Sequence, residues 1–74
     1  MINVRNIPSY DMNGTRRADV KPGIEVLVEL AEDKRTGKLT GGIVKEILTS
    51  SPNHPHGIKV MLESGQVGRI KQIV

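Results

Sequence analysis

The sequence predicts an all-β fold: a small five-stranded barrel over residues 21–74, preceded by a flexible N-terminal arm over residues 1–20. Three observations carry this expectation. Branched aliphatic residues alternate with polar ones in short runs, the period of a half-buried strand. Turn-forming residues punctuate the chain between those runs. Five runs crowd into about 55 residues, and closing so many short strands into a barrel removes the edges that would invite aggregation.

The arm mixes Asn, Pro, Ser, Asp, Gly and Arg without a sustained period, and Ile2, Val4 and Ile7 are too few to form an amphipathic element. Thr15-Arg16-Arg17 is a small positive cluster on it, and Met12 is a candidate start for a shorter product. At Lys21-Pro22-Gly23 the character changes, because Pro-Gly is a turn signal. The first strand follows, with Ile24, Val26, Val28 and Leu30 on one face and Glu25 and Glu29 on the other. Leu27 interrupts the polar face, so part of that side is expected to be covered. The charged segment from Ala31 to Lys38 reads as a loop; β-branched residues and alternation before it disfavour a helix.

The second strand region runs from Leu39 to Thr49 and contains Gly41-Gly42. Glycine weakens a strand, so the pair marks a bulge, a bend or a close backbone approach. The expected site of the bend that lets one long strand serve both halves of the barrel is this pair. Residues 50–57 hold two prolines and several turn formers, hence a second loop. Ile58, Val60 and Leu62 alternate in a third strand, and Ser64-Gly65 predicts a tight hairpin turn. Residues 66–70 form a fourth strand and residues 71–74 a fifth, closing piece.

Composition narrows the function classes. Seventy-four residues suffice for one domain with a small core. There is no cysteine, which excludes a disulfide framework and a thiolate metal site and points to the cytoplasm. The first residues lack the apolar region of a signal peptide, and the apolar runs fall far short of the ~20 residues that span a bilayer. Eleven Lys and Arg against eight Asp and Glu leave a formal charge of +3, a balance that permits phosphate contacts and is equally compatible with a merely solvated surface. Tyr10 is the only aromatic residue. A platform of rings for stacking bases is therefore absent, and any RNA binding should use phosphates, backbone groups and shape.

Two resemblances follow from the motifs. Gly37-Lys38-x-x-Gly41-x-Ile43-Val44-x-x-Ile47, followed by Ile58-Lys59-Val60-x-Leu62-x-x-Gly65, is similar to the glycine-and-valine pattern of SH3-like barrels of the KOW type. That resemblance implies a module of the kind found in ribosomal and transcription-associated proteins, many of which contact RNA. A closer one runs from about Met12 to the end. It includes Arg17-x-Asp19-Val20-Lys21-Pro22-Gly23, Asp33-x-Arg35-Thr36-Gly37-Lys38-Leu39-Thr40 and Gly65-Gln66-Val67-Gly68-Arg69. With the distinctive run from Ser51 through His54-Pro55-His56-Gly57-Ile58-Lys59-Val60, it resembles the YwbE-like family of small microbial proteins. This second resemblance implies a family and no mechanism.

The residues that could carry chemistry are few. His54 and His56 flank Pro55; a lone pair without Cys or a spaced carboxylate falls short of the three or four ligands zinc takes. Their readings are backbone hydrogen bonding within a stiff loop or, with Lys59, contact to an anion. Thr36-Gly37-Lys38 lacks the rest of a phosphate-binding loop. Serines and histidines are present, but a barrel of this size offers little room for a desolvated triad. No enzyme, catalytic residue, metal or cofactor is expected. Arg69 and Lys71 lie two apart and point to one side of an extended chain. The candidate nucleic-acid-binding set is therefore Lys34, Arg35, Lys38, His54, His56, Lys59, Arg69 and Lys71. The expected function is an RNA- or ribosome-associated binding module, as a monomer without membrane contact. The alternative is a protein-interaction adaptor that uses an exposed strand edge or an apolar patch around Leu27 and Met61.

Overall fold

The computed structural model describes residues 13–74. Four antiparallel strands, β1 (Glu25–Leu30), β2 (Thr40–Ile47), β3 (Lys59–Leu62) and β4 (Val67–Ile73), close in the order β1-β2-β3-β4. Single turns of 3-10 helix at Arg17–Asp19 and Ala31–Asp33 bracket β1. The all-β barrel is thus present with four strands rather than five.

The reason lies in β4. Leu27 faces Gln72 across the β1–β4 ladder and Val28 faces Ile70, so Lys71 is the extra residue of a bulge. A bulge shifts the two-residue period by one. Gly68, Ile70 and Ile73 all turn inward, although strict alternation would bury residue 72. The interrupted alternation reads as two strands in the sequence and is one strand in the fold. The same device recurs in β2, where Val44 pairs with Leu62 and Glu46 with Met61, leaving Lys45 as the extra residue. Thr40–Ile43 pairs with β1 and Val44–Ile47 with β3, so β2 hands over from one partner to the other. The irregularity therefore falls after the expected Gly41-Gly42 position, which sits in a regular ladder opposite Leu27 and Val26. What Gly42 supplies is close approach: a Cβ there would stand 2.7 Å from a methyl carbon of Leu62.

The barrel interior is wholly aliphatic. Val20, Val26, Val28, Leu30, Val44, Ile58, Val60, Leu62, Ile70 and Ile73 are buried, and no polar residue is buried with them among the described residues. Each such side chain contributes roughly 1.5–3 kcal/mol of transfer free energy. The Ser64-Gly65 turn closes the β3–β4 hairpin as expected, with the Gly65 N–H donating to the Leu62 carbonyl at 2.8 Å.

The expected arm divides at its end. Residues 1–12 lie outside the described residues. From residue 14 onward the chain is held against the barrel: Gly14 is buried and Val20 joins the core. The Ile58 N–H donates to the Gly14 carbonyl, His54 N–H to Thr15, and Arg17 N–H to Pro52, at 2.8–2.9 Å. This short backbone track, with one isolated bridge between Arg16 and Asn53, runs antiparallel to the His-Pro-His loop.

Candidate nucleic-acid interface

The site is built on the loop from His54 to Gly57. The Gly57 N–H donates to the His54 carbonyl at 3.0 Å, closing a turn. Gly57 has φ +104°, a left-handed conformation, and a Cβ there would run into the Ile70 carbonyl oxygen. Only glycine satisfies both demands. The loop is then tied from three sides. The Thr15 carbonyl accepts from the His54 N–H at 2.9 Å, Arg69 Nη1 donates to the Gly57 carbonyl at 3.1 Å, and Lys71 Nζ donates to the His56 carbonyl at 3.0 Å. The Lys71 ammonium also lies 3.9 Å from a carboxylate oxygen of Glu29.

Within the loop the His56 N–H donates to His54 Nδ1 at 3.1 Å. An accepting Nδ1 carries no proton, which assigns the neutral His54 ring its proton on Nε2. Partial burial holds His54 below the ordinary imidazole range, and the charge of Arg69 and the neighbouring His56 push in the same direction. The two imidazoles stand 5.7 Å apart, tilted by 49°.

Beside the loop lies a groove of about 610 Å³. Among the described residues, Lys34, His54, His56, Lys59, Arg69 and Lys71 line it, with Glu29 the one carboxylate and Ala31, Val67 and Gly68 supplying less polar surface. Six of the eight candidates thus come together. Arg35 and Lys38 do not; both are exposed on the turn after β1, outside the groove lining. Sequence reasoning missed Glu29, since its place depends on strand pairing. Lys59 of β3 sits opposite Arg69 of β4, and Arg69 sits opposite Glu29 of β1, so the three form one row across three strands. No spacing along the chain carries that information.

The four cations differ in how they are held. Arg69 and Lys71 are half-buried and hydrogen-bonded to the loop. Lys34 and Lys59 are exposed, and among the described residues neither has an ion pair or a side-chain hydrogen bond. Of the features an adaptor would use, the four strands close in order with β2 handing over from β1 to β3, and Leu27 and Met61 are half-buried. No helix among the described residues is long and apolar enough to cross a membrane.

Comparison with known proteins places these features in a wider set. A family model described as an uncharacterized conserved protein (DUF2196) matches residues 13–73. The chain is 56% identical over 63 residues to a Bacillus subtilis (strain 168) protein described as uncharacterized protein YwbE; the match covers 85% of this chain and 97% of that relative. No solved structure matches the chain significantly. The matched residues 13–73 include the strap from Gly14 to Arg17, the His-Pro-His loop and every groove residue.

Proposed function

The chain belongs to the DUF2196 family, and from that premise we propose that it is an RNA-binding module, ribosome-associated or acting on free RNA, that uses the basic groove. One observation carries the reading: among the described residues, four cations and two imidazoles from two strands and two loops converge on a single concave surface with one carboxylate, Glu29. Phosphate oxygens are the natural complement of such a surface, and contacts to them need no aromatic platform. A likeness to SH3-like barrels of the KOW type is part of the same proposal, supported by the closed antiparallel sheet and by the way β2 serves two partners.

The test is binding of a single-stranded RNA followed by fluorescence anisotropy across a salt series. A protein that neutralises several phosphates loses roughly tenfold or more in affinity over a few-fold rise in salt. Reversal of charge at Arg69 should weaken binding to any RNA sequence, while reversal at Arg35, outside the groove, should do so less. Binding that is flat in salt and indifferent to both changes would remove the proposal.

A further inference from the structure

Lys59 and Arg69 stand directly opposite each other in the β3–β4 ladder. Directly opposed like charges on a sheet repel and destabilise the pair. Arg69 has compensation: it faces Glu29 on its other side and donates to the Gly57 carbonyl. Lys59 has none among the described residues, although its backbone is fixed by the Lys59 N–H donating to Thr49 Oγ1 at 2.7 Å. Lys34 reaches the same groove from the loop after β1 and is equally uncommitted. The groove thus contains two kinds of cation. One kind is spent on holding the His-Pro-His loop; the other faces the cavity with its charge unanswered.

We propose that the groove is a subsite for a phosphoryl group, in which Lys59 and Lys34 contact the anion and Arg69 and Lys71 are positioning residues that hold the His54–Gly57 loop around it. The inference deepens the RNA reading and rests on it only for the source of the phosphoryl group. A bound phosphate oxygen near Lys59 relieves the Lys59–Arg69 repulsion, which makes this point of the surface more favourable for an anion than the scattered lysines elsewhere. The His54 Nε2–H is a further donor on the groove wall. Because the loop is braced before any ligand arrives, little ordering cost is charged against binding.

The test uses the full chain, with inorganic phosphate and a short uridine-only RNA strand as separate probes, followed by amide and imidazole NMR shifts. Both probes are expected to move the signals of His54, His56 and Lys59. Lys59→Met and Lys34→Met should each weaken RNA about tenfold and reduce the salt slope by about one, whereas Lys38→Met should leave both unchanged. Lys71→Met should weaken phosphate binding and shift the His56 amide that bonds to His54. Lys71→Arg, which keeps both the charge and a donor for the His56 carbonyl, should restore both, and the His56 amide shift of Lys71→Met in the absence of any probe separates loss of bracing from loss of charge alone. Phosphate binding without RNA binding would uphold the subsite and remove the RNA reading. RNA binding undiminished in Lys34→Met and Lys59→Met would overturn the subsite and leave the RNA reading standing. Response to neither probe would overturn both.

Discussion

The Lys34–Lys38 turn carries three cationic side chains and the His54–Gly57 loop two imidazoles, and the two segments differ in how they are anchored. The turn is held by its own neighbours: the Gly37 N–H donates to the Asp33 carbonyl at 2.9 Å, and Thr36 Oγ1 to the same carbonyl at 3.2 Å. Its side chains face solvent. The His-Pro-His loop is bonded to residues from both directions along the chain: Thr15, Arg69 and Lys71. Local bonds give a turn its shape. Long-range bonds give it a place relative to a groove, and that is the difference between a charged loop and a candidate site.

Glycine substitutions should expose this contrast most strongly. Gly57 and Gly37 both have positive φ, at +104° and +74°. Gly37→Ala meets open space and should cost only the left-handed penalty, about 1–2 kcal/mol. Gly57→Ala adds a collision with the Ile70 backbone, and its cost should be on the order of 3–5 kcal/mol, a large part of a small domain's stability. Urea denaturation of the two variants side by side measures the gap. Equal losses would mean that the loop is anchored no better than the turn.

A smaller effect separates the loops in binding. Lys59→Glu should lower RNA affinity at least tenfold at low salt, and Lys38→Glu should lower it by no more than a few-fold through the general field. Competition with a labelled strand decides it, and a larger loss at Lys38 would relocate the interface to the turn. Shortening Ile70 to Val removes one methyl group from the core while leaving the Ile70 backbone beside Gly57. It should cost about 0.5–1.5 kcal/mol, with RNA affinity unchanged if the loop's hydrogen bonds alone set the site. Thermal melts and anisotropy together check both halves.

The smallest effect is in pH. His54 is held below the ordinary imidazole range, so in the window between its folded and unfolded values the unfolded chain binds more protons. Stability therefore rises with pH through that window and is lost as pH falls through the unfolded value toward the folded one. An imidazole titration followed by NMR should place the His54 midpoint below that of a short peptide carrying the same residues. A midpoint above the peptide's would contradict the lowering by burial and by the charge of Arg69.

Legibility was uneven, and for physical reasons. Val26, Val28, Leu30, Ile58, Val60 and Leu62 announce their burial by simple alternation, and the structure buries all six. Ile70 and Ile73 do not, because the Lys71 bulge lies between them and alternation cannot anticipate an extra residue. The tie between Gly14–Arg17 and the second loop was illegible for another reason: backbone-to-backbone bonds leave almost no mark on side-chain pattern. Arg69 and Lys71 could be placed on one side from their spacing, but not assigned to bracing the loop, since that depends on which carbonyls lie within reach.

By itself the sequence determined the all-β class, the approximate strand positions, the aliphatic character of the core and the family. Those properties follow from local periodicity, turn chemistry and composition, which a linear chain displays directly. Only the tertiary structure decided that four strands close the barrel, that residues 14–20 belong with it, and that Lys59, Arg69 and Glu29 share one row. Register and closure arise from contacts between segments far apart in the chain. They are set when the whole core packs at once, so no single segment encodes them.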